Sequence, residues 1–340
     1  MSLLAQTRIS VLDLSPIRAG HPIAQSYADS LALARHVDEL GYTRYWLAEH
    51  HNIPGVASSA TAILIGHIAG GTRRIRVGSG GIMLPNHAPL IVAEQFGTLE
   101  SLYPGRIDLG LGRAPGTDGL TARALRRDLT GRPEDFPALL MELRGFLAKP
   151  ESSSPRRVRA IPGEGLEVPI WLLGSSDFSA RLAGKLGLPF AFAGQFAPRY
   201  MLEALAIYRR AFEPSETLQA PYAMIGTNVI AAETDEEADY LSTSAKQHVL
   251  NLIRNDMQPL APPVDDMDAL WSVHEARAVE DFLGASIIGG RETVRKGLDR
   301  LIGLTGANEV MINAAIYDQD LRRRSFSIVS ELKTEAAQAA

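Results

Sequence analysis

The chain has 340 residues, 46% of them apolar, a net charge of −5 and no cysteine. It is long enough to bury a substantial core, and disulfides, thiolate metal sites and cysteine nucleophiles are excluded together. The positive charge is mostly arginine spread along the chain, so neither nucleic acid nor a membrane surface is expected as a partner.

Strands and helices alternate along most of the sequence. Residues 9–12 read as a strand ending at Asp13, Ser15 and Pro16. A helix is predicted over 23–40, where Leu31, Ala34, Val37 and Leu40 recur at spacings of three and Gly41 closes the pattern. Strand two is 42–47. Ser58 or Ser59 is expected to cap a helix reaching about Ala69. Strand three begins at 75–78. Pro89 opens a helix to Leu102, and Tyr103-Pro104-Gly105 turns the chain into strand four, 106–111. Residues 113–132, rich in glycine, arginine and threonine, read as a long functional loop. A helix resumes over 136–147, and 151–165 form a polar excursion. Strands five (169–173), six (189–193) and seven (222–231) are each followed by a helix, from Ser176, Pro198 and Asp235. Residues 255–284 read as an insertion. A helix from Arg291, strand eight over 309–315 and a terminal helix complete the chain.

This pattern predicts one (β/α)8 TIM-barrel domain over residues 1–340, with insertions after strand four and between strands seven and eight. A doubly wound sheet is the rival. No strand, however, runs through G-x-G-x-x-G straight into a helix, and a P-loop and a G-x-S-x-G elbow are absent. Residues 1–10 lack the apolar run of a signal peptide, and no stretch reaches the roughly 20 apolar residues that span a bilayer. A cytoplasmic location is the expectation.

In such a barrel the chemistry collects at the carboxyl ends of the strands. Strand two ends in Glu49-His50-His51, then Asn52-Ile53-Pro54-Gly55, which continues neither helix nor strand. The plain alternative is two solvated histidines in a loop. Strand three ends in Gly80-Gly81, which allow close approach of a flat ligand or make an ordinary bulge. Arg113 follows strand four and suits a phosphate oxygen, unless it pairs with Asp118. Gly174-Ser175-Ser176, with Ser179, opens a helix whose N-terminus suits a phosphate, unless the serine merely caps it. Strand six ends in Ala193-Gly194-Gln195. The histidines match no H-E-x-x-H, so no metal is expected. His87 reads as a turn residue and His67 as a helix residue.

Four segments in order resemble the bacterial luciferase-like flavin monooxygenases: Trp46-Leu47-Ala48-Glu49-His50-His51, Gly78-Ser79-Gly80-Gly81-Ile82-Met83-Leu84-Pro85, Ala93-Glu94-Gln95, and Pro104-Gly105-Arg106-Ile107-Asp108-Leu109-Gly110-Leu111-Gly112-Arg113. With Asp13-Leu14-Ser15-Pro16 and Arg113-Ala114-Pro115-Gly116-Thr117-Asp118, the chain is most similar to the LLM-class flavin-dependent oxidoreductases of the MsnO8 type. The resemblance implies reduced FMN as co-substrate at the C-terminal rim. It also implies His50 as the active-site histidine, which Glu49 is separately expected to orient, and a cis peptide between Gly80 and Gly81. Arg113, Ser175, Ser176 and Ser179 would hold the phosphate, with Gly194 at the ring edge. It departs from the luciferase at Gly112 and Gly194, where that protein carries larger residues, so a wider pocket is expected.

The activity expected is oxygenation of a small molecule by O2, with His50 holding or relaying a proton. A separate flavin reductase is expected, since the chain shows no nicotinamide fingerprint. Hydride transfer with F420 is an alternative, with Arg123, Arg126 and Arg127 for its acidic tail. A non-catalytic flavin-binding partner subunit is another. Ile63, Leu64, Ile65, Ile91, Val92, Phe96 and Leu99 look like surplus apolar surface for a homodimer.

Overall fold

The computed structural model describes residues 2–114, 116, 118–125, 135–150 and 158–339. Eight parallel strands close on themselves. They are β1 (Arg8–Asp13), β2 (Arg44–Leu47), β3 (Arg76–Ser79), β5 (Ile107–Gly112), β6 (Ile170–Gly174), β7 (Phe190–Phe192), β8 (Ala223–Ala231) and β10 (Glu309–Asn313), with β8 pairing β10 to complete the ring. Two further strands extend the rim. β4 (Ile82–Met83) pairs β5, and β9 (Ile287–Gly289) pairs β8 in parallel at Val229–Ala231. This is the (β/α)8 barrel that the alternating pattern implied.

Alternation along each strand separates two cores. Outward residues such as Val11, Val77, Leu109, Phe190 and Ile225 pack against the apolar faces of the surrounding helices. One such helix is α1 (Ile23–Glu39), which buries Ser26, Ser30, Leu33, Ala34 and Val37 at helical spacing. Inward residues Leu12, Trp46, Trp171, Ala191, Met224 and Met311 fill the barrel. Trp46 meets Trp171 edge to face at 5.2 Å, and Trp171 meets Tyr222 at 5.5 Å.

At the amino ends of the strands the filling is ionic. Asp108 accepts from Arg44 at 2.6 Å and Arg76 at 2.7 Å, and Glu309 accepts from Arg44 at 3.1 Å and Tyr222 Oη at 2.8 Å. Burial disfavours the Arg44 charge, but the two carboxylates outweigh it and push its pKa up. Ions with several partners each are tolerable in such an interior. With that end plugged by salt bridges and tryptophans, the opposite end is left for a ligand.

Several sequence expectations change. Helix α2 (Thr61–Gly71) starts later than expected, with Ala60 at its N-cap and no side-chain cap; the buried Ser58 hydroxyl has no partner among the described residues. The segment after β5 contains a short helix, α4 (Gly119–Leu125), and the later insertion contains α9 (Val273–Phe282). Helix α3 is Pro89–Leu102. On α2 and α3, Leu64, Ile65, Val92, Phe96 and Leu99 are buried within this chain, while Ile63 and Ile91 are exposed. Most of the apparent surplus is therefore ordinary core. Among the described residues, no helix is long and apolar enough to cross a membrane.

Candidate active site

The residues named from the sequence for catalysis and flavin binding, from Glu49 to Gly194, lie at or just beyond the carboxyl ends of barrel strands. β2 ends at Leu47, and the next residues turn inward. Glu49 is 1% exposed, yet it is fully engaged. Its oxygens accept from His51 Nε2 at 2.9 Å, His87 Nε2 at 2.9 Å, Met83 N at 2.9 Å and Asn86 Nδ2 at 3.2 Å. Burial alone would raise the Glu49 carboxyl. Hydrogen bonds from His87, His51 and Met83 outweigh it and hold it below its ordinary 4.5.

This corrects the expected role of Glu49. It does not orient His50; it ties the loop after β2 to the loop after β4. His50 is held elsewhere. Its Nδ1 lies 3.3 Å from the carbonyl of Gly116, an atom that only accepts, so Nδ1 carries the proton, and among the described residues Nε2 has no hydrogen-bond partner. Burial lowers the His50 pKa below 6.5, against smaller opposing effects of the Gly116 carbonyl and Glu49. His50 is therefore neutral at neutral pH. Gly116 has φ +65°, and a Cβ there would meet the Glu49 carbonyl at 2.9 Å, so glycine is needed to bring its own carbonyl to His50.

The Gly80–Gly81 peptide is cis. A Cβ on Gly80 would meet Leu12 at 2.7 Å, and one on Gly81 the Gly110 carbonyl at 2.8 Å. The pairing register with β5 slips by one residue between β3 and β4, so the bulge reading also holds.

Arg113 leaves β5 with its guanidinium 4.4 Å over the Phe178 ring, in the first turn of α6 (Asp177–Lys185). Among the described residues it forms no ion pair. The Asp118 alternative fails, because that carboxylate accepts from Leu120 N, Thr121 N, Thr121 Oγ1 and Asn52 Nδ2. Ser176 is the N-cap of α6, but its side chain does not cap. Nor do the Ser175 and Ser179 hydroxyls find partners among the described residues. An unspent guanidinium beside an uncapped helix N-terminus with free hydroxyls fits a phosphate group.

Two glycines do not widen the pocket as expected. A Cβ on Gly112 would meet Met83 Sδ at 2.6 Å; one on Gly194 would meet the Gly226 carbonyl at 2.6 Å and Met201 Sδ at 3.0 Å. Their space is already filled by protein. His87, Asn86 and Gly116 were not assigned to the site from the sequence. His87 does follow a turn, the 3-10 segment Leu84–Asn86, but its ring reaches back to Glu49. Arg123 is exposed on α4, while Arg126 and Arg127 lie outside the described residues. Among the described residues, no group of three acids or histidines is arranged to hold a metal ion.

The profile of the luciferase-like monooxygenases matches residues 7–308. The uncharacterized protein YvbT of Bacillus subtilis (strain 168) is 58% identical over 326 residues, covering 96% of each chain. A luciferase-like monooxygenase of Escherichia coli (strain K12) is 48% identical, covering 96% of this chain and 97% of its own. An N-acetyl-S-alkylcysteine monooxygenase of B. subtilis is 33% identical over 95% of this chain and 97% of its own. Among solved structures, apo-MsnO8 aligns with a TM-score of 0.84 at 34% identity, over 96% of this chain and 98% of its own. The fold is shared with the FMN complex of the oxygenating constituent of 3,6-diketocamphane monooxygenase from Pseudomonas putida (TM-score 0.74, 18% identity, 97% and 98% covered). It is also shared with an F420-dependent secondary alcohol dehydrogenase (TM-score 0.68, 16% identity, 95% and 99% covered). The chain therefore belongs to the luciferase-like monooxygenase family and is a flavin-dependent oxidoreductase of that family.

Proposed function

We propose that the chain is a monooxygenase that uses reduced FMN and O2 to oxygenate a small organic molecule. One observation carries this reading: the Arg113 guanidinium lacks an ion pair among the described residues and stands at the uncapped N-terminus of α6. Arg113 with Ser175, Ser176 and Ser179 would hold the FMN phosphate, and Gly80, Gly81 and Gly194 would border the ring. Bound reduced flavin supplies the electrons that activate O2. His50, neutral and with Nε2 unprotonated, takes up or returns a proton at that nitrogen. Glu49 keeps the β2 and β4 loops in register around it.

Reduced flavin would come from a separate cytoplasmic reductase. The N-acetyl-S-alkylcysteine monooxygenase among the relatives makes a small N-acylated thioether the first substrate to try. A homodimer would form through the exposed Ile63 and Ile91 faces of α2 and α3. The test of the phosphate site is Arg113→Ala. It should weaken FMN but leave riboflavin, which lacks the phosphate, nearly unchanged. Equal loss for both removes the phosphate role. F420 binding in preference to FMN in the same titration would move the reading to hydride transfer.

A further inference from the structure

We propose that Gln195, held in place by Asn228 and Asn313, reads an amide edge (a carbonyl oxygen beside an N–H) on the molecule in the barrel mouth. The identity of that molecule, flavin or substrate, rests on the function proposed above.

β8 presents alternate residues to the barrel axis. Met224 packs inward with Trp46 and Trp171, while Ile225 packs outward. Gly226 and Asn228 therefore face the axis, nearer the carboxyl rim than Met224. The Gln195 side chain, just beyond β7, lies across Gly226. A Cβ on Gly226 would come within 2.1 Å of Gln195 Oε1, so the glycine makes room for this carboxamide. Oε1 is buried with no hydrogen-bond partner, and among the described residues the carboxamide nitrogen has none either. The main chain of Gln195 is fixed: Asn228 Nδ2 donates to its carbonyl at 3.2 Å. Asn228 is in turn held by Ser286 Oγ at 3.2 Å and by Asn313 Nδ2, which donates to its Oδ1 at 3.1 Å. Asn228 and Asn313 are register partners on β8 and β10.

Three uncharged carboxamides thus stand in a row across three neighbouring strands at the mouth. The protein positions the outermost one and then leaves it unbonded. An unbonded buried polar group is a cost to the fold, and such costs collect where a ligand is bound. The chemistry is selective. A carboxamide offers one donor edge and one acceptor edge, the complement of an amide or imide. A carboxylate or phosphate would call for cations or a helix N-terminus instead. Two molecules carry that edge at this mouth: the pyrimidine ring of a flavin, or an acylamino substrate.

Gln195→Met keeps the length of the side chain and removes both hydrogen-bonding ends. In the first arm, FMN and riboflavin are titrated against the parent and the variant. Loss of about tenfold for both assigns Gln195 to the flavin ring. In the second arm, saturation-transfer NMR compares N-acetyl-S-methylcysteine with S-methylcysteine on the FMN-loaded protein. Loss of the N-acetyl signal in the variant, with FMN affinity kept, assigns Gln195 to the substrate. In both cases the melting temperature should hold or rise, since no protein partner is lost. Unchanged binding in both arms overturns the proposal, and so does a fall in melting temperature with binding unchanged, which marks a structural residue. A parent protein that binds no FMN would instead refute the flavin reading. The amide probes then go to the free protein, where an unchanged Gln195→Met response still overturns the role of Gln195.

Discussion

Replacing Glu49 by Gln separates the carboxylate from its shape. The two oxygens of Glu49 serve four donors: Oε1 takes His51, His87 and Asn86, and Oε2 takes Met83 N and shares His87. An amide keeps one acceptor and turns the other into a donor. In the milder arrangement the acceptor stays with the two histidines, and the new NH2 faces the Met83 N–H, which loses its partner. One orphaned N–H costs about 1–3 kcal/mol, and the remaining bonds fall from charge-assisted to neutral strength. Together these predict a loss of about 3 kcal/mol.

Urea unfolding followed by tryptophan fluorescence reads this as a shift in midpoint at unchanged slope. The pH dependence adds a check on sign. The folded protein holds the Glu49 carboxyl below its ordinary 4.5, so the carboxylate stabilises above the unfolded value. That contribution is lost as pH falls through the lower folded value. The gap between parent and Glu49→Gln should be full at neutral pH and close as pH falls below 4.5. A gap under about 0.5 kcal/mol at neutral pH, or one that stays constant into acid, refutes the clamp.

His50→Ala should leave the barrel folded and flavin bound, while consumed oxygen appears as H2O2 in place of product, with turnover down about 10²- to 10⁴-fold. Parent-level coupling in that variant would remove His50 from the mechanism. Because burial keeps His50 neutral, the acid limb of turnover should lie below 6.5, its ordinary value, and a limb at or above it contradicts the buried setting. Gly116→Ala forces a side chain onto a φ of +65°, at about 1–2 kcal/mol, and should withdraw the carbonyl from His50, which an NMR titration of the ring would detect as an altered pKa. Ile63→Glu should convert a dimer to monomer in light scattering, whereas a parent already at 36.8 kDa at micromolar concentration disposes of the dimer.

The barrel was legible in the sequence because its signals are local. Apolar runs ending in glycine, proline or ionisable residues mark strands, and spacings of three and four mark helices, whatever lies across the molecule. The same local punctuation exposed the rim residues from Glu49 to Gly194, and the family motifs added the cis Gly80–Gly81 bond. Local signals do not say where a side chain ends up. His87 is a turn residue, as its neighbours imply, but the β4 turn carries its ring back to an acid 38 positions earlier. Gly112 and Gly194 look like empty space in one dimension, yet Met83, Met201 and the Gly226 carbonyl fill it. Leu64, Ile65, Val92, Phe96 and Leu99 look like an interface, yet one chain buries them. Composition and periodicity determined the eight barrel strands, most of the helices between them and which residues stand at the strand ends, but not the short elements β4, α4, β9 and α9. Closure of the barrel decided the partners, because it brings loops together across distances in sequence that no local pattern encodes.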